Sequence, residues 1–161
     1  MARVYVSIGS NIEPLRYIRI GLADMQQQFG ALTLSSVYES EAVGFEGDNF
    51  YNLVAGFNTC MAVQTVANIL RIIEKNNDRK RSCERFSART LDLDVLLYDD
   101  LIVKEVPRDD ILKYAFVLLP LAEIAPDVKH PVTKQRLGDL AQAFDKTGQP
   151  LWRIDVSVIN E

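Results

Sequence analysis

The chain has 161 residues, of which 48% are hydrophobic and 25% are charged, and its formal net charge is −4. This length is typical of one domain, and this composition excludes a disordered chain, a collagen-like repeat and a long coiled coil. The acidic balance argues against a nucleic-acid binder that depends on an overall basic field. We therefore expect a single globular domain that spans residues 1–161.

The cysteines and the N-terminus bear on where the protein resides. Cys60 and Cys83 are the two cysteines, and their spacing matches neither a disulfide framework nor a zinc motif. We expect both to be reduced thiols in a cytoplasmic protein. The first residues lack the apolar stretch of a signal peptide, and no run approaches the roughly 18 apolar residues of a membrane span. The sequence therefore predicts no membrane partner.

The N-terminal part of the chain predicts a strand, a helix and a second strand. Residues 3–8 are rich in β-branched types, and the glycine, serine and asparagine after them indicate a turn. Pro14 opens a helix whose apolar residues recur at helical spacing as far as Phe29, and Gly30 suits the position just past its end. Residues 32–40 predict the second strand.

A third strand follows a loop at residues 41–49, which hold two glycines. Residues 50–59 alternate, as expected of a strand whose successive side chains point to opposite faces. The two predicted faces are Tyr51, Leu53, Ala55 and Phe57 on one side and Phe50, Asn52 and Val54 on the other.

The core ends with a helix and a fourth strand. Apolar residues from Val63 onwards predict a helix that ends near Asn77, and the polar residues 78–90 predict an irregular segment. Residues 91–98 alternate again and predict a strand. The order β-α-β-β-α-β is that of the ferredoxin-like arrangement, so we expect an α+β protein with this core.

A C-terminal extension follows the core. It is expected to contain a hairpin, two helical stretches and a last strand, at residues 99–106, 112–125, 136–144 and 152–159. Pro120 is expected to interrupt the first helical stretch. His130, the only histidine of the chain, is expected to have a surface or supporting role and not a catalytic one.

A basic segment at residues 71–89 runs from the last turns of the second helix to the last core strand. It carries seven basic residues against three acidic ones, so it is locally positive in a chain that is negative overall. Its basic residues are Arg71, Lys75, Arg79, Lys80, Arg81, Arg85 and Arg89. A charge run by itself usually forms a solvated face, but two aspartates at strand spacing follow this one directly.

These aspartates, Asp92 and Asp94, are candidate magnesium ligands. Alternate positions on a strand face the same way, so both carboxylates project from the face opposite Leu93 and Val95. Mg²⁺ typically takes one or two carboxylates together with phosphate oxygens, and the adjoining arginines would neutralise a polyphosphate. No P-loop or dinucleotide fingerprint occurs, so side chains and metal would have to hold the phosphates. The alternative is an amphipathic strand with two solvated aspartates.

Six short segments of the chain carry a family resemblance. The most specific is ARTLDLDVLLYDD at 88–100. The others are VYVSIGSN at 4–11, SSVYES-x₃-G at 35–44, F-x-N at 50–52, IE-x₄-R-x-R at 73–81 and FVLLPLAEIAPD at 116–127. In these segments the chain resembles the 6-hydroxymethyl-7,8-dihydropterin pyrophosphokinase family of folate biosynthesis. The resemblance implies a ferredoxin-like fold and an enzyme that transfers a pyrophosphoryl group from ATP to a pterin hydroxymethyl group and leaves AMP.

On the nucleotide side, the resemblance implies roles for individual residues. Asp92 and Asp94 would hold two Mg²⁺ ions that bridge the ATP phosphates. Arg79 and Arg89 would be the catalytic arginines that neutralise phosphate charge. The full set expected to contact the nucleotide is Glu74, Arg79, Arg81, Arg89 and Arg108.

On the pterin side, the resemblance implies a flat site with one polar edge. Phe50 and Phe116 would stack on the pterin ring, and Asn52 would form hydrogen bonds with its polar edge. Ser40, Glu41 and Val43 would supply mostly backbone contacts. The expected partners are therefore two small molecules, ATP and a reduced pterin, and the chain is expected to be a monomer or a weak homo-oligomer.

Several positions depart from the family pattern, among them Asp78, Phe86, Arg108 and Tyr114. Arg108 stands where the family commonly has a histidine, and Tyr114 stands where several members carry an arginine. Because an arginine is always charged and only donates hydrogen bonds, Arg108 is expected to contact a phosphate. The departures leave one alternative open, a divergent paralogue that binds pterin or nucleotide with weak or different activity. A ferredoxin-like RNA-binding module is a second alternative, which the acidic charge and the missing aromatic RNA-binding motif disfavour.

Overall fold

The computed structural model describes residues 1–42, 47–78 and 89–158. Within these ranges the chain forms strands and helices in an order close to the predicted one. In chain order they are β1 (Ala2–Ser10), α1 (Pro14–Phe29), β2 (Thr33–Leu34), β3 (Val37–Ser40), β4 (Phe50–Thr59), α2 (Val63–Asn76), β5 (Asp92–Tyr98), α3 (Asp110–Lys113), α4 (Ala115–Ile124), α5 (Leu137–Ala143) and β6 (Leu151–Ile154).

The strands form one antiparallel sheet with the order β5-β1-β4-β3-β6, and β2 pairs with β4 beside this path. The long central pair is β1 with β4, which runs from Ala2 opposite Thr59 to Ser10 opposite Tyr51. β5 pairs with the other side of β1, so it is an edge strand of this sheet. The expected α+β class is confirmed as a mixed fold of helices and an antiparallel sheet.

Apolar side chains cover both faces of the sheet. On one face, α1 and α2 pack on β4 residues such as Leu53 and Phe57, and the rings of Phe29 and Phe57 stack with their centroids 4.3 Å apart. On the other face, Val54 packs in a second cluster that contains buried residues of α4. The predicted alternation of β4 is thus confirmed, because its odd-numbered apolar residues face α1 and α2.

The predicted strand at 32–40 is interrupted at Ser35 and Ser36. Ser35 bonds to Val54 twice, since its N–H donates to the Val54 carbonyl and its Oγ accepts the Val54 N–H, each at 2.9 Å. Ser36 turns away from β4 and donates its N–H to Glu123 of α4 at 2.8 Å. The serine side chains therefore divide the strand into β2 and β3.

Other boundaries also differ from the sequence prediction. Gly9 and Ser10 belong to β1 and not to a turn, because β4 is long enough to pair with both of them. The helical stretch at 112–125 is interrupted at Tyr114, whose backbone is extended, while Pro120 lies inside α4. Among the described residues, no helix is both long and apolar enough to cross a bilayer.

The C-terminal extension adds one short strand to the sheet. β6 stops at Ile154 because its partner β3 offers only four residues for pairing. The predicted hairpin at 99–106 forms a turn and a single bridge between Val103 and Val106, outside the named strands.

Candidate active site

A glycine lies between a carboxylate and an amide in the middle of the sheet. Gly9 of β1 is paired with Asp92 of β5 on one side and with Asn52 of β4 on the other. Directly paired residues project from the same face, so Asp92 and Asn52 share a face two strands apart, about 10 Å by strand spacing. A Cβ on Gly9 would lie 2.7 Å from Asn52 Oδ1. We call this place the Gly9 gap.

Side chains of α2 satisfy the outward backbone groups of the edge strand β5. The Leu93 N–H donates to Glu74 Oε2 at 2.7 Å, and Arg71 Nη1 donates to the Leu93 carbonyl at 2.9 Å. The same Nη1 donates to Glu74 Oε1 at 2.8 Å. Glu74 is 1% exposed, so this predicted nucleotide residue lies in the packed contact between α2 and β5.

Two guanidinium groups approach the buried carboxylate of Asp94. Arg71 Nη2 lies 3.2 Å from Oδ1, and Arg108 Nη2 lies 3.8 Å from Oδ2. Arg108 Nε also donates to Asp110 at 3.1 Å. Burial alone would lower the pKa of Arg108, but the carboxylates of Asp94 and Asp110 outweigh it and raise that pKa. Arg108 is thus a fixed cation beside a predicted metal ligand.

Arg89 is held against the end of β1 and reaches Asp92. Its N–H donates to Asn11 Oδ1 at 2.7 Å, and the Asn11 N–H donates to the Arg89 carbonyl at 3.0 Å. The guanidinium Nη1 lies 2.7 Å from Asp92 Oδ2, and the two side chains are 16% and 19% exposed. The predicted catalytic arginine and predicted metal ligand are therefore in direct contact.

Asp92 and Asp94 suit a cation that takes most of its ligands from water and from a bound phosphate group. In the described ranges, no group of three or more histidine, cysteine, aspartate or glutamate residues could hold a metal by itself. A pair of carboxylates from one strand suits Mg²⁺, which keeps several waters and binds through one or two carboxylates plus phosphate oxygens. The same pair is a poor donor set for a structural zinc ion, which needs four protein ligands.

Three of the predicted pterin-side residues line one cavity of about 220 Å³, namely Ser40, Glu41 and Phe116. Ser40 ends β3 and is buried, and Phe116 lies in the first turn of α4. The Phe116 ring stacks on Tyr114 with the centroids 5.1 Å apart. Tyr114, the departure from the family pattern, thus contributes an aromatic ring to this side of the site.

Phe50 and Asn52 lie on β4, which pairs with the strand that carries Ser40. Phe50 is paired with Ser40 of β3, and Asn52 is paired with Tyr38. The Nδ2 atom of Asn52 is buried and has no hydrogen-bond partner among the described residues. A buried polar group without a partner costs about 1–3 kcal/mol, which makes this donor a candidate for a hydrogen bond to a ligand.

The structure brings most of the predicted site residues to the same region of the sheet. Val43, Arg79 and Arg81 lie outside the described residues, and the roles expected for them stay predictions. His130 is 2% exposed, so of the two expected roles the surface one is wrong and the supporting one remains. Its Nδ1 accepts the N–H groups of Val132 and Thr133, which makes it a support for a turn.

Sequence reasoning missed three residues that shape this site, Gly9, Asn11 and Arg71. The sequence predicts a turn at Gly9 and Asn11, whereas Gly9 is a strand residue without a side chain to displace the Asn52 amide. The charge pattern of the sequence places Arg71 only within a basic segment. Arg71 precedes Glu74 by three residues on a predicted helix, and this spacing indicates an ion pair. The spacing is the sequence signal that distinguishes Arg71 from the other basic residues of the segment.

The chain matches a protein-family model and several curated proteins over most of its length. The model described as 7,8-dihydro-6-hydroxymethylpterin-pyrophosphokinase matches residues 5–126. The 2-amino-4-hydroxy-6-hydroxymethyldihydropteridine pyrophosphokinase of Aquifex aeolicus is 35% identical over 145 residues, which cover 85% of this chain and 89% of that protein. The protein of the same name from Pseudomonas aeruginosa is 36% identical over 80% of this chain and 84% of its own length.

Solved structures with the same fold are much more distant in sequence. An HPPK-DHPS crystal structure in complex with substrates has a TM-score of 0.72 at 12% identity and covers 91% of this chain. Wild-type Plasmodium falciparum HPPK-DHPS with pterin and p-hydroxybenzoate has a TM-score of 0.71 at 13% identity and covers 88% of this chain. The chain spans 44% and 42% of these two solved chains, so the likeness concerns the fold of one part of each.

Proposed function

Since the chain belongs to the 7,8-dihydro-6-hydroxymethylpterin-pyrophosphokinase family, we propose that it transfers a pyrophosphoryl group from ATP to 6-hydroxymethyl-7,8-dihydropterin in folate biosynthesis. The observation that carries this proposal is the Gly9 gap, which has a carboxylate on one side and an orphan amide donor on the other. The carboxylate side suits a polyphosphate with its cation, and the amide side suits a flat polar ring. Ligands bound on the two sides would therefore meet at Gly9.

In the proposed reaction, the hydroxymethyl oxygen of the pterin attacks the β-phosphorus of ATP. A bond forms between that oxygen and the β-phosphorus, and the bond from the β-phosphorus to the α,β-bridging oxygen breaks. AMP leaves with the bonding electron pair, and the hydroxyl proton passes to solvent. Little covalent chemistry remains for the protein, so catalysis depends on positioning and on charge stabilisation.

On the nucleotide side, Asp92 and Asp94 would hold Mg²⁺, with two ions expected. Bound Mg²⁺ would neutralise the phosphate oxygens and fix their orientation. Arg89 is placed beside Asp92 by its two bonds to Asn11, so its guanidinium can stabilise charge that develops on the same phosphates. Arg79, Arg81 and Arg108 complete the proposed nucleotide set. The contact expected for Glu74 is not proposed, because this residue is 1% exposed and its two oxygens accept hydrogen bonds from Leu93 and Arg71.

On the pterin side, Asn52 would donate its buried Nδ2 hydrogens to an acceptor on the ring. Phe50 and Phe116 would stack against the ring faces, and Ser40, Glu41 and Val43 would contact its edge. Because Gly9 has no side chain, the Asn52 amide can lie against β1, where a Cβ on Gly9 would be 2.7 Å from its Oδ1. Ring stacking and one satisfied amide would orient the pterin without any charged side chain.

We also interpret the core as the ferredoxin-like arrangement, and the chain as one pyrophosphokinase-like domain. The order β5-β1-β4-β3 agrees with that interpretation, with β2 and β3 counted as one interrupted strand and β6 as an addition at the edge. Dependence on Mg²⁺, a cytoplasmic location and a monomeric or weakly associating state stay predictions from the sequence.

The proposal is tested by incubating the protein with ATP, Mg²⁺ and 6-hydroxymethyl-7,8-dihydropterin and separating the nucleotides. We expect one AMP for each pterin consumed, and no AMP when the pterin is omitted or the magnesium is chelated. Formation of ADP instead of AMP would identify a single-phosphoryl transfer and contradict the proposal. Pterin and ATP binding without any nucleotide product would favour the divergent paralogue.

A further inference from the structure

Arg71 lies near the Gly9 gap, and its contacts join a helix, the edge of the sheet and a predicted metal ligand. Its guanidinium donates to three acceptors on three residues: Glu74 Oε1 at 2.8 Å, the Leu93 carbonyl at 2.9 Å and Asp94 Oδ1 at 3.2 Å. The planar guanidinium presents its donors in a rigid fork, so three contacts fix its orientation as well as its place.

Two of these acceptors are themselves fixed. The Leu93 carbonyl belongs to the backbone of β5, and Glu74 is 1% exposed with its other oxygen accepting the Leu93 N–H at 2.7 Å. The Arg71 guanidinium is therefore held by the backbone and by a buried carboxylate. The third acceptor, Asp94 Oδ1, belongs to a side chain, and this contact holds it at 3.2 Å from the guanidinium.

We propose that Arg71 is a positioning residue that fixes the carboxylate of Asp94 for the cation of the proposed reaction. Through its bond to Oδ1, Arg71 sets the rotation of the carboxylate plane on the face of β5 where Asp92 also lies. This inference rests on the proposed function, because it assigns Arg71 a role toward the cation that Asp94 would bind. A role of this kind resembles the outer partners of metal ligands, which orient the ligating oxygens.

A purely structural role is the competing interpretation, since Arg71 and Glu74 also tie α2 to β5. The two roles predict different results for cations that differ in how strictly they require one coordination geometry. Mg²⁺ demands nearly ideal octahedral geometry, whereas Ca²⁺ accepts flexible coordination. A misoriented carboxylate should therefore weaken Mg²⁺ binding more than Ca²⁺ binding. Loss of the arginine charge acts on both divalent ions alike and cancels in the ratio of their affinities.

The test compares Arg71→Gln and Arg71→Lys with the wild type by titration calorimetry. A non-hydrolysable ATP analogue is titrated into each full-length protein with Mg²⁺ and, separately, with Ca²⁺. Each titration gives the Kd of the ATP analogue in the presence of one cation. We expect the ratio of the Kd with Mg²⁺ to the Kd with Ca²⁺ to rise by about tenfold in both variants, as for the loss of an outer partner of a metal ligand. The lysine variant keeps the charge but not the fork, so it should not restore the ratio.

The matched control is Arg16→Gln, which removes an exposed arginine that pairs with Glu13 three residues away, as Arg71 pairs with Glu74. Its ratio should equal that of the wild type. An unchanged ratio in folded Arg71 variants would overturn the inference, whatever happens to their melting temperature. If Arg71→Gln does not fold, Arg71→Lys carries the test. Failure of the proposed function looks different, because the wild type would then bind no cation–nucleotide complex or release no AMP.

Discussion

The two sides of the Gly9 gap satisfy their polar groups in different ways. On the β5 side, carboxylates and guanidinium groups pair with one another, as Arg89 does with Asp92 and Arg71 with Asp94. On the β4 side, the buried amide nitrogen of Asn52 has no partner among the described residues. A charged ligand must therefore exchange contacts with existing ion pairs, whereas a neutral ring can supply a partner that is missing. Salt and cations should govern the first side and shape and hydrogen bonding the second.

The largest effect should come from removing a charge on the β5 side. Asp94→Asn keeps the shape of a buried side chain but removes a carboxylate, and we expect kcat to fall by about 10³-fold or more. Pterin affinity should stay within about twofold, because that ligand contacts the β4 side. Steady-state kinetics and pterin titration measure both quantities. Asp100→Asn in the exposed turn after β5 is the control, and a normal kcat in Asp94→Asn would reject the metal assignment.

Arg89→Ala should come next in size. Arg89 is placed to stabilise charge that develops during transfer, so we expect kcat to fall by about 100-fold with a smaller change in the KM for ATP. Initial-rate measurements over a range of ATP concentrations separate the two constants. A rise in KM with kcat intact would make Arg89 a binding residue only.

On the β4 side, Asn52→Ala should separate binding from stability. We expect pterin affinity to weaken by about tenfold, since one hydrogen bond is lost. The free energy of unfolding should not fall, because the variant also removes an orphan buried donor. Calorimetry and urea unfolding measure the two effects. Asn58→Ala, at an exposed position of the same strand, is the control, and unchanged pterin affinity would contradict the assignment.

Arg108→Ala tests the idea that salt governs the β5 side. Arg108 lies beside Asp94 and Asp110, and we expect it to contact a phosphate when ATP binds. ATP affinity should fall by a few-fold between about 0.05 and 0.5 M salt in the wild type and by less in the variant. Titrations at several salt concentrations give the slopes. Equal slopes would mean that Arg108 does not contact the nucleotide.

His130 should have the smallest effect, and we expect it on the stability of the fold. Burial lowers its pKa from the ordinary value of 6.5, so the unfolded chain binds the proton more readily than the folded chain. The stability contributed by neutral His130 is therefore complete above pH 6.5 and is lost as the pH falls through its folded pKa. The loss is at most about 1.4 kcal/mol per pH unit.

Urea unfolding between pH 7.5 and 5 measures this effect against His130→Asn. Asparagine offers an acceptor to the N–H groups of Val132 and Thr133 but does not titrate in this range. The difference in stability between the two proteins should change with pH below 6.5 and stay constant above it. A constant difference throughout would show that His130 keeps its ordinary pKa.

The sequence by itself determined which faces of the strands are apolar and where two aspartates share a face. Period-two alternation in β4 and β5 depends only on local side-chain order, so Leu53, Phe57, Asp92 and Asp94 could be assigned in advance. The helix that begins at Val63 could also be predicted from local sequence, because its apolar residues recur at the helical period. The boundaries of strands and helices depend less on local sequence. β1 extends to Ser10 because β4 is long enough to pair with it.

Only the tertiary structure decided which residues meet across the sheet. Strand register places Gly9 between Asp92 and Asn52, which are 40 residues apart in the chain. Arg71 reaches Asp94 because β5 is an edge strand whose outward backbone groups need partners from α2. A local pattern specifies the direction of a side chain along its own strand, whereas a contact between strands depends on pairing energies summed over the whole sheet.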